Sequence, residues 1–568
     1  MQSFTMCIIK KLRNHDLHGV TLNFLKKGQF DMTNLRMGID VGGTFTDGVI
    51  MDGKKVIAKT KSLNTKDVTT GIVQALDNLL NNSTIDPRNI GMVSFSTTHT
   101  INAIVERKNL DKVGILRLAA PSSTSIPPLT GWPEDLVEAI GGTANAYIIE
   151  GGSEFSGKDI KPLDEEAIIK AVKEMKESGV TSVAVIGIFS PIIASHEERA
   201  TEIVKKHFGD DIPITQSGKI ASLSLIEREN STILNASVVT VMKNAVKAFK
   251  DAVKERGMSP KLFVVQNDGS IMDADYAVDY PIFTVAAGPA ASVRGAVYLS
   301  GIRDGVVVDV GGTTTDIAYI VDGFPRESSV TVSIGGVKTN IRSADLLSIA
   351  LGGGTIIETE NDEVTEVGPK SVGYSLTKLG RSFGGSTLTV HDIAVAKGRL
   401  KNNLEIFDTN YVTHLHNIES ISKGILNSAD KELRTKIEEA IDQMKTKAGE
   451  IPAIYIGGGA VTVPRENIEG TSEIIIPADF EVGGAIGGTI AEISSVAEIA
   501  VDLENEDRDA AIERAVEIAK EHVRASGAIA GTEEIVEIEE IPFTYMPGKK
   551  QRIRTRVKGN VFGKGEKL

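Results

Sequence analysis

Two runs far apart in the chain share one pattern of apolar and polar positions. Residues 37–47 read MGIDVGGTFTD and residues 306–316 read VVVDVGGTTTD. Each is an apolar strand that ends on an aspartate and meets two glycines. After Asp47 a second apolar strand leads to Asp52-Gly53, then to a third strand around Val56, Ile57 and Ala58. After Asp316 come an apolar strand over 317–321, Asp322-Gly323, and an expected return strand over 328–332. Asp-Gly between β-rich runs signals a hairpin, because both residues tolerate the positive φ that a tight turn requires. Beyond the first unit the period lengthens: Ile72, Ala75, Leu76, Leu79 and Leu80 sit at helical spacing. Ile454, Tyr455 and Ile456 predict a short buried strand running straight into Gly457-Gly458-Gly459. Near the end, residues 551–557 alternate like a strand and 533–540 form an acidic one, with Pro547-Gly548 as the turn between them.

Over residues 40–47 and 309–316 seven of eight positions are identical. Duplication at this separation implies two similar domains facing each other and excludes a short-repeat solenoid. Each copy carries the chemistry of a phosphate grip. The glycines Gly42, Gly43, Gly311 and Gly312 expose backbone N–H groups, which in a tight turn form an anion-binding nest. Thr44, Thr46, Thr313 and Thr315 add hydroxyl donors. Asp40 and Asp309 suit Mg²⁺, which binds phosphates through one or two carboxylates plus water. Asp316 is a further metal ligand, an orienting carboxylate or a turn cap, and Asp47 has the same ambiguity. Gly457, Gly458 and Gly459 offer a flat surface for a nucleoside. The other glycine pairs, including Gly483-Gly484 and Gly487-Gly488, read singly as tight turns. Glycine is high overall, 56 of 568 residues or about 10% against a usual share of roughly 7%.

Composition narrows the classes. The net charge of −14 argues against a whole-surface nucleic-acid binder. No apolar run approaches a membrane span; the longest, 183–193, contains Ser190 and Pro191 and reads as core. A single Cys7 excludes a disulfide framework and cysteine-held zinc or iron–sulfur centres. These features predict a cytoplasmic enzyme with no nucleic-acid or membrane partner. The segment 152–158 fails as a P-loop, because Asp159 replaces the Ser or Thr that would hold Mg²⁺. The nine histidines form no metal-like spacing. Residues 549–567 hold eight basic residues and one acid, which cross-strand pairing with the acidic strand accounts for.

The paired DVGGT hairpins and YIGGGA resemble the two phosphate motifs and the adenosine motif of the actin, sugar-kinase and chaperone ATPase superfamily. Within it the chain resembles the hydantoinase/oxoprolinase A-subunit family over nearly all of residues 37–562. The resemblance rests on MGIDVGGTFTDGV, STTHTINAIVER (96–107), IEREN (226–230), LFVVQNDGSIM (262–272), GPAASVRGA (288–296) and IPFTYMPG (541–548). It departs from the family at Phe95-Ser96, where His-Gly is common, and over 374–384, which lacks a Pro-Gly-Pro-Ala-Cys-Tyr segment. The implied fold is α/β, with two duplicated ribonuclease-H-like (actin-like ATPase) domains around a nucleotide cleft and a small C-terminal β element. The implied domains are an extension over 1–36, an N-terminal domain over 37–215, an A-type domain over 216–505, and a C-terminal helix and hairpin over 506–568. The extension is expected to be disordered or to precede a native start at Met32 or Met37.

The resemblance implies an ATP- and Mg²⁺-dependent hydrolase subunit that activates a cyclic amide (a hydantoin, 5-oxoproline or similar lactam) for ring opening. Asp40, Asp309 and Asp316 are then the catalytic candidates, with Asp40 and Asp309 on the metal. Asn102, Glu227, Arg228, Asn267 and Asp268 are the candidates on the substrate side. A separate hydantoinase B-type subunit is the expected partner, and a homo-oligomer is left open. A small-molecule kinase or a partner-activating ATPase would use the same cleft.

Overall fold

The structure, a computed structural model, describes residues 35–561 except 43–44, 64–67, 82, 222, 329–330, 401–414, 544–545 and 547. The first repeated unit folds as its hydropathy predicts. Leu35–Val41 pairs antiparallel with Phe45–Asp52, which pairs antiparallel with Lys55–Leu63. Ile90–Thr97 adds to Leu35–Val41 in parallel, and Lys261–Val265 continues in parallel beyond it. Alternation sorts the side chains to two covered faces. Met37, Ile39, Val41 and Ile50 pack with Ile72, Ala75, Leu76 and Leu79 of the Val68–Asn81 helix. Val49 and Met51 point the other way, onto Val482, Ala485 and Ile486.

The second unit repeats this order. Phe324–Pro325, Thr315–Val321, Gly305–Val310, Ile451–Ile456 and Thr471–Ile475 lie side by side, with the same succession of two antiparallel and two parallel pairings. One expectation fails here. The return strand after Asp322-Gly323 is only Phe324–Pro325, not 328–332. Ser328 instead donates its N–H to Ser343 O at 3.0 Å, which carries the chain away from the sheet edge. Leu346–Ile349 takes up the vacated edge, pairing with residues 315–318.

Two helices fill the space between the sheets, Ala287–Ser300 and Gly483–Ile490. The glycine pairs 483–484 and 487–488, expected as turns, lie inside the second helix. Their role is close approach: a Cβ on Gly487 would sit 2.7 Å from the Ala291 carbonyl carbon, and one on Gly295 2.7 Å from that of Gly483. Backbone therefore meets backbone where larger residues would hold the helices apart.

A parallel sheet of Ala146–Glu150, Val113–Ala120, Ser182–Gly187 and Ile214–Gln216 is inserted in sequence between Ile90–Thr97 and Lys261–Val265 of the first sheet. Leu116, Leu118, Val183 and Val185 face the helices Glu165–Glu177 and Ser195–Phe208. Ile115 and Ile186 face Ile233 and Leu234 of the Leu225–Ser237 helix. The 152–158 segment is a loop, with Ser153 bridged to Asp159. The C-terminal strands Glu534–Pro542 and Lys550–Gly559 form the expected hairpin, which joins Ile493–Asp502 and extends the first sheet. Within the hairpin Arg554 pairs with Glu539 at 2.9 Å. The basic strand is also shared with other elements, Lys558 reaching Glu492 at 2.9 Å and Arg552 reaching Glu498 at 3.4 Å. Among the described residues no helix is long and apolar enough to cross a membrane.

Candidate functional site

Strand register sets the acidic residues in pairs. Asp40 lies opposite Asp47 on the neighbouring strand, and Asp309 opposite Asp316. The turns beside them close in the same way, by Gly42 N–H to Phe45 O at 3.0 Å and Gly311 N–H to Thr314 O at 2.9 Å. All four aspartates line one cavity of about 280 Å³, together with Gly42, Gly311, Gly312, Thr313 and the turn Gly457, Gly458, Gly459. That turn leaves the end of Ile451–Ile456 and folds against the second hairpin, Gly459 N–H donating to Val310 O at 2.7 Å. Gly457 has φ +82°, and a Cβ there would be 2.5 Å from Val310 O. A side chain at this position would displace the strand end that carries Asp309.

The cavity is acidic. Burial pushes Asp309 up to about 7; the Ser292 hydroxyl opposes the shift, while the charges of Asp316 and Asp40 add to it. Burial pushes Asp40 up to about 6 against the Ser96 hydroxyl, with the Asp47 charge raising it further and Lys61 lowering it. Burial also raises Asp47 and Asp316, the first opposed by Lys61 and the second by the Ser348 hydroxyl. Facing these carboxylates are the N-terminal ends of the two central helices, which present Gly288, Ser292, Gly483 and Gly484 to the cavity. Helix N-termini carry unpaired N–H groups and partial positive charge. Carboxylates that resist ionisation until a cation arrives, beside donors that favour an anion, fit a metal-complexed polyphosphate. Among the described residues no group of three or more side chains has the geometry of a preformed metal cage. Mg²⁺, which keeps several waters and binds through one or two carboxylates plus phosphate, does not need one.

The remaining candidates separate by position. Gly43 and Thr44 lie outside the described residues. Thr46 and Thr315 do not line this cavity as expected. Each is fully buried and next to a cavity-lining aspartate, so strand alternation turns it to the opposite face. Thr315 donates its hydroxyl to Leu351 O at 2.6 Å. Thr314, passed over in the sequence, lines the cavity beside Thr313.

None of the five substrate-side candidates lines the cavity. Asn102 is exposed and donates to Thr98 Oγ1 at 3.2 Å, with Thr98 on the cavity wall. Glu227 accepts from Ser224 at the start of its own helix. Arg228 is buried against the parallel sheet, donating to Gly187 O at 2.6 Å and Ser217 Oγ at 3.0 Å. Asn267 clamps backbone, donating to Ile282 O at 3.0 Å and accepting from Ala286 N–H at 2.8 Å. Asp268 accepts from Ser270 N–H at 2.9 Å, a local turn.

Sequence reasoning missed Lys61, which lines the cavity with its Nζ 2.6 and 2.7 Å from the Asp47 oxygens and 3.1 Å from Glu481 O. Counting back from the Asp52–Lys55 pair puts Thr60 opposite Asp47. A β-bulge at Ile57 inserts one residue and puts Lys61 there instead.

Comparison with known proteins agrees with this architecture. Residues 36–208 match the model of the hydantoinase/oxoprolinase N-terminal region, and residues 228–497 the hydantoinase/oxoprolinase model. An uncharacterised protein of Methanocaldococcus jannaschii is 25% identical over 561 residues, covering 90% of this chain and 80% of that one. The acetophenone carboxylase gamma subunit of Aromatoleum aromaticum is 26% identical, covering 63% and 52%. The caprolactamase subunit alpha of Pseudomonas jessenii is 25% identical, covering 82% and 66%. The chain thus spans only about half to two-thirds of these two subunits. Among solved structures, the ATP-dependent caprolactamase of Pseudomonas jessenii superposes with TM-score 0.73 at 18% identity, covering 93% of this chain and 88% of that one. Nucleotide-free acetone carboxylase superposes with TM-score 0.66 at 17% identity, covering 92% and 87%. Both share a mixed α/β fold with this chain.

Proposed function

Because the chain belongs to the hydantoinase/oxoprolinase family, we propose that it is an ATP-using enzyme subunit that activates the carbonyl of a cyclic amide for ring opening. One observation carries the reading: two near-identical hairpins bring four half-buried aspartates to a cavity walled by glycine turns and two helix N-termini. In this reading each half contributes one ribonuclease-H-like, actin-like domain. Asp40 and Asp309 would hold Mg²⁺, which neutralises phosphate charge when bound. Gly42, Gly43 and Thr44 on one side, and Gly311, Gly312 and Thr313 on the other, would grip the phosphates. Gly457, Gly458 and Gly459 would receive the nucleoside. Asp316 would orient the reacting groups.

The chemistry needs little more from the protein. An amide carbonyl is a poor electrophile and its oxygen a poor leaving group. Moving the γ-phosphoryl group to that oxygen breaks the bond to the β-phosphate and releases ADP. Water then adds to the activated carbon, the ring C–N bond breaks as its nitrogen takes a proton, and a second water releases the phosphate to leave the open-chain acid. In phosphoryl transfer of this kind positioning and charge neutralisation supply most of the rate. A B-type partner subunit would complete hydrolysis; the caprolactamase and acetophenone carboxylase relatives are named as subunits too. The acetophenone carboxylase likeness supports a second reading, in which the same transfer activates a ketone for carboxylation.

The test is ADP release by the purified chain, alone and with its partner, across hydantoins, 5-oxoproline, larger lactams, and aryl ketones with bicarbonate. Lactam-stimulated ADP release with ring-opened product supports the first reading, and ketone-stimulated release with carboxylated product the second. Phosphate found on a substrate hydroxyl, as a kinase would leave it, overturns both.

A further inference from the structure

We propose that Lys61 contacts the γ-phosphate of a bound nucleoside triphosphate, so that the duplicated cleft is chemically one-sided. The inference rests on the nucleotide reading above and deepens it. Strand register lays the same row of four positions across each half. In the first half the row is Ser96, Asp40, Asp47, Lys61; in the second it is Ile456, Asp309, Asp316, Ser348. The aspartates at the centre match, and the ends do not. Asp47 faces an ammonium, whereas Asp316 faces a hydroxyl, that of Ser348. A polyphosphate chain is itself one-ended: its first phosphate is esterified to the nucleoside, and its terminal group carries the most charge. Lys61 marks the half that meets that end.

The local geometry suits the role. Lys61 Nζ lies 2.6 and 2.7 Å from the Asp47 oxygens, 3.1 Å from Glu481 O and 5.1 Å from the centre of the Phe45 ring. It reaches from the first sheet to the glycine turn of the second, where a Cβ on Gly458 would be 2.9 Å from Lys61 Cε. Among the described residues that line the cavity it is the one lysine or arginine, set against five carboxylates: the four aspartates and Glu481. An ammonium has three donors, so it can keep Asp47 and hold a phosphate oxygen at the same time. Asp47 is then a positioning residue. Lys59, two residues back on the same strand face, does something else. It does not itself line the cavity; it reaches Asp479 at 2.8 Å and Glu481 at 2.5 Å, joining the two halves.

Titration calorimetry with ADP and with the non-hydrolysable triphosphate adenylyl imidodiphosphate, both with Mg²⁺, separates these roles. Lys61→Met should bind the triphosphate roughly 10–100-fold more weakly, the loss expected for a charge-assisted hydrogen bond, and ADP almost as wild type does. Lys61→Arg should recover part of the triphosphate affinity. Lys59→Met should lower the melting temperature and leave the ratio of the two affinities unchanged. Should Lys61→Met not fold, Lys61→Gln, which keeps a donor without the charge, is read in the same way. Equal losses for both nucleotides, or no loss for either, would overturn the assignment. A wild-type chain that binds neither nucleotide overturns the nucleotide reading itself, and shows it before any variant is compared.

Discussion

Asp309 gives the cleft a measurable cost. Its carboxyl titrates near 7 in the folded chain against 3.8 in the unfolded one, mainly because burial disfavours the charge. The folded state therefore binds this proton more tightly. The stability it contributes is complete below about pH 4, falls as pH rises, and is gone above pH 7. A shift of about three units corresponds to about 4 kcal/mol at roughly 1.4 kcal/mol per unit. That figure is a ceiling, since the carboxylate faces a cleft whose water screens it, and about 2 kcal/mol is the expected penalty. Asp309→Asn cannot ionise and keeps the same shape. In metal-free protein at pH 8 it should melt a few degrees above wild type, and with Mg²⁺ restored it should lose nucleotide turnover. At pH 5 the gain should be less than half as large. Scanning calorimetry in a chelator at the two pH values makes the comparison. A variant that melts below wild type at pH 8, or gains equally at both, would show that Asp309 is not held in the cleft at a desolvation cost.

Other substitutions test the frame around the site. Gly487→Ala forces a methyl group against the Ala291 backbone; it should destabilise by about 1–3 kcal/mol in urea unfolding as the two central helices part. Arg117→Met leaves Glu229 buried without the guanidinium that now sits 2.6 Å away; the loss should be about 3–5 kcal/mol, with most of it recovered in the double variant Arg117→Met, Glu229→Leu. Thr315→Val removes the hydroxyl bonded to Leu351 O and should cost about 1–3 kcal/mol of stability with ADP affinity unchanged. Thr313→Val, on the cavity wall, should do the reverse in the same two assays.

What the sequence disclosed is the part written in local signals. The DVGGT repeat, the Asp-Gly turns and the glycine turn after Ile456 each specify a short stretch of backbone; both hairpins and the glycine turn line one cavity, while the Asp-Gly turns close the far ends of the hairpin strands. The amphipathic 68–81 helix was equally plain, because Ile72, Ala75, Leu76 and Leu79 share a face that must be covered. What it hid depends on long-range packing. Gly483-Gly484 and Gly487-Gly488 look like turns until the Ala287–Ser300 helix is laid against them, and that partner lies far away in the sequence. Lys61 was hidden by one bulged residue, which shifts the register and exchanges Thr60 for a cation. Arg228 and Asn267 stood out as chemistry-bearing residues, yet their hydrogen bonds run to backbone carbonyls of distant elements. Sequence alone does not distinguish such a clamp from a ligand-binding group.

The central claim is that the two hairpins jointly hold a magnesium nucleotide. Titration of ADP into the wild-type chain, Asp40→Ala and Asp309→Ala, each with Mg²⁺ and with chelator, tests it most directly. The account predicts binding by wild type that weakens sharply in chelator, and loss of most of the Mg²⁺-dependent affinity in both variants. Undiminished, metal-independent ADP binding in all three proteins would contradict it.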